Sequence, residues 1–170
     1  VINMATMFNY ATTFNQPINS WNTSLVTNMR YMFSGAFAFN QPLDSWDVSS
    51  VFDMQSMFGS AASFNQSLEN WELNPSVNLD GMLSYCGMDC INYSATINGW
   101  SANPNTPNGR LLGANGLFFG TNATSARDNL IDNKAWVIVQ DLPAGALCLS
   151  CSPSFSTLPK LNPNSIIRVQ

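Results

Sequence analysis

The sequence predicts an α/β fold: a short right-handed solenoid with one short strand and one helix per 25-residue repeat, a parallel concave sheet, and a small C-terminal α/β cap. Three observations predict it. Trp21, Trp46 and Trp71 stand 25 residues apart. The word Phe-Asn-Gln recurs at the same interval, beginning at residues 14, 39 and 64. Near residue 86 this register stops and a different segment follows, as expected where a stack of repeats must be capped.

Each repeat divides into two halves with different hydrophobic periods. In the middle repeat, residues 43–48 have the spacing L-x-x-L-x-L, that of a leucine-rich repeat, and residues 46–48 alternate as a strand does. Apolar residues at steps of three, three, one and three over 51–61 then predict a helix. Ser49 or Ser50 would cap its N-terminus.

Strand alternation separates core side chains from exposed ones. The inward positions predict a core ladder, made of Trp21, Trp46, Trp71, Met32, Met57 and Met82. A platform of stacked indoles for sugar rings is the alternative interpretation of the tryptophan column. The outward positions form polar ladders on the concave sheet, and we predict that they bind a ligand: Ser20, Asn22, Ser24, Ser45, Asp47, Ser49, Asn70, Glu72 and Asn74. Plain solvation is the alternative for this surface.

The pattern divides the chain into a repeat solenoid of about three and a half repeats (1–87), a cap region (88–141) and a Pro/Ser-rich linker or tail (142–170). Because the first residues already resemble the middle of a repeat, we interpret the solenoid as N-terminally truncated. In the cap, Tyr93, Ile97 and Trp100 would share one helix face. A strand or hairpin over 111–119, a helix over 124–133 and a last strand over 136–139 would follow.

The four cysteines form two close pairs, which favours disulfides in a surface protein. The simplest pairing is Cys86 with Cys90 and Cys148 with Cys151, although two other connectivities remain open. A four-cysteine zinc site is the alternative, but only the second pair has C-x2-C spacing. We therefore predict no metal.

Composition excludes several classes of function. The chain has no histidine, so Ser-His-Asp and Cys-His catalysis are impossible. Its six basic residues are scattered and its net charge is -4, which argues against nucleic acid as a partner. The sequence contains no run of about 20 apolar residues, so we expect no membrane-spanning helix. We expect no enzyme and no cofactor.

The words Phe39-Asn40-Gln41-Pro42-Leu43 and Ser45-Trp46-Asp47-Val48-Ser49 and the pattern Met-x-x-Met-Phe resemble the repeats of BspA-like bacterial surface proteins, over residues 1–86. The segment after residue 92 is similar to the region that follows such repeats in secreted proteins of the Bacteroidetes. The resemblance implies an extracellular or cell-surface protein, used in adhesion to a glycan, a matrix protein or another cell. It also implies export by the type IX machinery. A structural spacer within a larger secreted protein is the alternative function.

Overall fold

In the computed structural model, which describes residues 1–145 and Cys148, the repeats stack on one another in register. Each 25-residue turn of the chain is here called a coil. Parallel bridges join Asn3 to Asn28, Asn28 to Asp53, and Asp53 to Asn78. A fourth bridge joins Leu79 to Leu112 and carries the stack into the C-terminal region.

A ladder of backbone hydrogen bonds holds consecutive coils together. In the second coil every other residue from 29 to 35 donates its N–H to a carbonyl of the third coil, over 2.8–2.9 Å. The N–H groups between them close turns within the coil, as from Met32 to the carbonyl of Met29 (3.1 Å). The same alternation occurs over 4–10 and 54–60. Backbone groups in this part of the chain are thus paired without a regular strand or helix.

The predicted helix over 51–61 is wrong. Ser56 and Ser60 have φ of 51° and 58°, and a right-handed helix does not accommodate left-handed residues. Turn closure every three residues produces the same apolar spacing, as between Met57 and Met54 (3.1 Å) and between Ala61 and Phe58 (3.0 Å). Across the described residues, the first helix of the chain begins only at Cys90.

The predicted strand over 46–48 is also absent. Turns at 44–45 and 49–50 flank this segment instead, closed by the N–H of Trp46 on the Leu43 carbonyl and that of Val51 on the Val48 carbonyl. Parallel pairing occurs further along the chain, at Asp53. The concave sheet therefore does not form where it was predicted, and the right-handed, leucine-rich-repeat-like class stays a prediction.

Aromatic columns fill the interior of the stack. Phe33 lies 5.7 Å from Phe58 of the next coil and 4.0 Å from Phe39 of its own, measured between ring centroids. Trp46 and Trp71 are buried, and each indole N–H donates to a carbonyl of the preceding coil, Ile18 (3.1 Å) and Leu43 (3.0 Å) respectively. The predicted methionines Met32, Met57 and Met82 are buried with them, whereas Trp21 is only partly buried.

The C-terminal region contains all the regular helices and strands of the described chain. They are α1 (Cys90–Ala102), β1 (Leu111–Gly113), β2 (Phe118–Phe119), a 3-10 turn (Thr121–Ala123), α2 (Thr124–Asp128), a π-helical turn (Asn129–Asn133), β3 (Val137–Val139) and β4 (Leu142–Pro143). β1 pairs in parallel with β3, and β2 with β4. None of the described helices is long and apolar enough to span a membrane.

Helix α1 is attached to the last repeat through its N-cap residue. The Asp89 carboxylate accepts from the N–H groups of Ile91 and Asn92 at 3.0 and 2.9 Å. Its own N–H donates to the side-chain oxygen of Asn65 at 2.8 Å, one coil earlier. The buried residues of α1 include Tyr93, Ile97 and Trp100, the three that the sequence predicts to share one helix face.

The cap continues the stack in a degenerate form. Leu112 of β1 pairs with both Leu79 and Ile138, so two further rungs follow the repeats. Trp100 donates its indole N–H to the Leu68 carbonyl at 3.0 Å. Trp71 makes the equivalent bond one coil earlier, to the Leu43 carbonyl. These tryptophans therefore play the same structural part on both sides of the predicted 87/88 boundary.

The disulfide differs from the predicted local pairing. Cys90, at the start of α1, is joined to Cys148, with 5.8 Å between their Cα atoms. The predicted Cys86–Cys90 and Cys148–Cys151 bridges are therefore both wrong, and Cys151 itself lies outside the described residues. Because Cys90 and Cys148 are bonded to each other, the four-cysteine zinc site is also ruled out. The bridge places the beginning of the predicted tail against the cap, where residues 142–143 form β4.

A buried ion pair adds a second connection. Arg127 contacts the Asp141 carboxylate through two bonds of 2.8 and 2.7 Å, and the Asp141 side chain is fully buried. The Tyr93 hydroxyl donates to the same carboxylate at 3.1 Å. Burial raises the pKa of Tyr93 well above its ordinary value, and the neighbouring negative charge of Asp141 raises it further. Helix α1, helix α2 and the chain before β4 are thus fastened at one point.

Candidate binding surfaces

The nine residues predicted to bind a ligand form one side of the stack, here called the polar face. All nine are exposed or half-buried, but they lie in turns and in the irregular segments between them, not in a sheet. The structure thus brings the predicted residues to one surface through a different backbone conformation.

Several side chains of the polar face are occupied with local hydrogen bonds. The Asp47 carboxylate accepts from the Ser49 N–H at 3.0 Å and from the Ser49 hydroxyl at 2.6 Å. Those two bonds stabilise the carboxylate and lower the pKa of Asp47 below its usual value. Asn22 and Ser24 repeat the arrangement one coil earlier, at 3.1 and 2.8 Å. These residues therefore act as turn-forming groups whatever else they do.

The repeated sequence motif Phe-Asn-Gln has a structural explanation. The Asn40 side-chain oxygen accepts from the Asn65 N–H at 2.9 Å and from the Gln66 amide at 2.8 Å. Asn15 makes the same two contacts with Asn40 and Gln41, each at 2.9 Å. This column supplies the inter-coil hydrogen bonds that the backbone does not make there.

The tryptophan column does not form a sugar platform. Trp46 is 4% exposed and Trp71 is 1% exposed, so their ring faces are not available to a ligand. Trp21 borders a recess of about 330 Å³ at the first coil, together with Val1, Met4 and Met7. The indoles of the middle coils are core residues.

A different set of aromatic residues lies on the surface. Tyr10 and Tyr85 are 70% and 63% exposed, and Tyr31 is half-buried between them in the stack. All three project from the outer side of the backbone ladder, which is here called the tyrosine face. The sequence reasoning missed this face because its residues follow no hydrophobic period. The available signal was the glycine at the position equivalent to Tyr10, Gly35, which indicates a left-handed backbone.

Reactive groups are scarce in the part of the chain that the structure describes. That part contains no group of three or more Cys, Asp or Glu residues able to hold a metal ion. The Cys86 thiol is not bonded to another described cysteine, and burial raises its pKa to about 11. It is therefore protonated at neutral pH and a poor nucleophile.

Comparison with known proteins identifies the family. The model of the family described as "Mycoplasma protein of unknown function, DUF285" matches residues 1–100, which cover all the complete repeats and most of α1. The chain belongs to this family. No curated protein and no solved structure matches the chain.

Proposed function

We propose that this DUF285 protein is a non-enzymatic binding protein of the BspA-like kind, located outside the cell or on its surface. It would attach to a glycan, a matrix protein or another cell. The disulfide between Cys90 and Cys148 supports the location, because such bonds persist in oxidising compartments. Export by the type IX machinery is part of the same proposal and rests on the resemblance alone.

One observation carries the proposal: buried columns repeat from coil to coil, whereas the tyrosine face changes in every coil. The four residues that start the ladder run are Met4, Met29, Met54 and Leu79, all buried. The next position outward holds Ala5, Arg30, Gln55 and Asp80. Solenoids commonly bind their partners on such an extended surface, and this one presents a different set of side chains in each coil.

The polar face favours the second candidate, a structural spacer. Its outward residues are similar in each coil, and bonds such as that from the Asn74 amide to the Ser49 carbonyl (2.9 Å) serve the stack itself. If both interpretations hold, the polar face is scaffold and the tyrosine face is the binding surface.

Binding can be tested with the whole chain on an array of matrix proteins (fibronectin, laminin, collagen) and of neutral and anionic polysaccharides. A charge-reversed polar face, with Asn22→Lys, Asp47→Lys and Glu72→Lys, serves as the matched variant. Specific binding to any probe supports the proposal, and its loss in the variant would place the site on the polar face. A folded chain that binds none of the probes would favour the spacer.

A further inference from the structure

Three tyrosines on the tyrosine face share an unfavourable backbone conformation. Tyr10, Tyr31 and Tyr85 have φ of 54°, 54° and 59°, in the left-handed region. The fourth tyrosine, Tyr93, lies in a helix and is buried. A bulky residue at positive φ is strained and persists where the surroundings hold it, often at functional sites.

The coils themselves show that tyrosine is not required there. The position of Tyr10 is occupied by Gly35 and Ser60 in the next two coils. Gly81 stands where Tyr31 does, two coils later. The ladder thus forms with the smallest side chains, so its backbone does not require tyrosine at these positions.

The two exposed rings lie against the backbone of the following coil. A Cβ on Gly35 would lie 2.7 Å from Cδ1 of Tyr10, so the ring lies on the glycine backbone. A Cβ on Gly116 would lie 3.3 Å from Cδ1 of Tyr85. Each ring is therefore supported on one side and open to solvent on the other.

The surface between the rings is small, polar and close to neutral. Tyr10 and Tyr85 are three coils apart, which is about 14 Å at the inter-strand spacing of a sheet. Ser60 lies in that interval, and the Asn115 amide, hydrogen-bonded to Gln140 at 2.6 Å, borders Tyr85. The Arg30 guanidinium lies 5.0 Å from the centroid of the Tyr31 ring, and the negative charge of Asp53 acts on it.

We propose that the tyrosine face binds a neutral polysaccharide laid along the stack, with one sugar ring packed on Tyr10 and another on Tyr85. This inference rests on the proposed binding function and specifies its ligand class and site. The apolar face of a sugar ring packs on an open aromatic ring, and the sugar hydroxyls pair with serine and amide side chains.

The same features disfavour other occupants. Single-stranded nucleic acid also stacks on aromatic rings, but it needs a basic groove, whereas this face has Arg30 and Asp80 of opposite charge. A protein partner would be expected to use a contiguous apolar centre, and here the two rings are separated by polar residues.

The test compares binding of the chain and of Tyr10→Gly/Tyr85→Gly to mannan, laminarin, xyloglucan and soluble chitooligosaccharides, by affinity electrophoresis and calorimetry. Each lost ring should weaken binding about tenfold, from a stacking contribution near 1.4 kcal/mol. The urea midpoint should stay constant or rise, because glycine relieves the left-handed strain. Phe52→Ser is the matched control, since Phe52 is 51% exposed and stands at a repeat position different from those of Tyr10 and Tyr31. Tyr10→Phe/Tyr85→Phe should retain most of the affinity.

The outcomes separate this inference from the proposed function. Binding of a neutral polysaccharide that is lost in the glycine variant and kept in Phe52→Ser supports both. Binding that survives in the glycine variant overturns the site while the function stands. Binding of matrix proteins without any neutral polysaccharide overturns the ligand class alone. A folded chain that binds nothing overturns both.

Discussion

Replacing the indole of Trp71 tests whether the coils are held together as described. Trp71 is 1% exposed, and its indole N–H donates to the Leu43 carbonyl of the preceding coil at 3.0 Å. The perturbation is Trp71→Phe, which keeps an aromatic ring beside Phe58 but removes the donor and part of the ring. Trp21→Phe is the matched change at the equivalent position of the first coil, where the side chain is only partly buried.

The expected cost follows from two contributions. The Leu43 carbonyl also accepts the N–H of Trp46 (3.1 Å), so it is not left unpaired, and the lost bond is worth about 0.5–1.5 kcal/mol. The smaller ring loses transfer free energy and leaves a cavity, together about 1–2 kcal/mol. Trp71→Phe should therefore lower the free energy of unfolding by about 2–3 kcal/mol, and Trp21→Phe by less than about 1 kcal/mol.

Urea unfolding followed by far-ultraviolet circular dichroism is the suitable assay, because tryptophan emission changes with the substitution itself. In thermal unfolding followed by the same signal, the Tm should fall by about 4–12 °C for Trp71→Phe in a chain of this size. Equal losses for the two variants would refute the reasoning, since burial and the indole bond are what distinguish them.

Three further predictions concern the cap. Changing Cys90 and its bridge partner to serine should lower the free energy of unfolding by about 4 kcal/mol, because the disulfide spans 58 residues. A parent chain whose urea midpoint is the same with and without a reductant would contradict this. Asp141→Asn removes the charge that pairs with the partly exposed Arg127 and should cost about 1–3 kcal/mol by the same assay, whereas a loss below about 0.5 kcal/mol would show that the pair contributes little to stability. Because the Cys86 pKa is raised to about 11, its thiolate fraction at pH 8 is about one in a thousand, so alkylation should accelerate as the pH rises towards that value or on unfolding. Rapid labelling of native Cys86 at pH 8, located by peptide mass spectrometry, would disprove the burial.

The sequence is most informative about residues that repeat. Identical residues at a fixed interval must occupy equivalent positions in a stack, so Trp46, Trp71 and the methionine column could be placed in the core without a structure. The α1 face of Tyr93, Ile97 and Trp100 was equally accessible, because a helix brings steps of four and three together. These predictions depend only on periodicity.

The backbone conformation of a repeat is harder to predict. An apolar step of three fits a helix and also fits a series of turns, and the difference lies in the sign of φ at Ser56 and Ser60. Glycine in a sequence indicates a possible left-handed conformation, whereas serine does not, so the apolar spacing favoured a helix. Gly35 and Gly81, which stand at the repeat positions of Ser60 and Ser56, were the residues that pointed to a left-handed backbone there.

The bridge and the tyrosine face could not be deduced for different reasons. Cys148 reaches Cys90 because β4 lies beside the start of α1, and such proximity over 58 residues is a property of the tertiary structure. Tyr10 and Tyr85 are recognisable only when their φ angles and the glycines beneath them are known. Outward residues that vary from coil to coil have no period from which to be predicted.

The ladder gives the stack an electrical direction. In an ordinary strand successive peptide dipoles alternate and nearly cancel. Here two peptides of the second coil, those of Thr27 and Ala38, direct the N–H towards the preceding coil, whereas four, those of residues 29, 31, 33 and 35, direct it towards the C-terminal coils and leave a net dipole. Their dipoles add from coil to coil, as they do along a helix, so that the first coil carries partial negative charge and the cap end partial positive charge. Two such stacks would repel when joined by like ends and attract when joined by unlike ends.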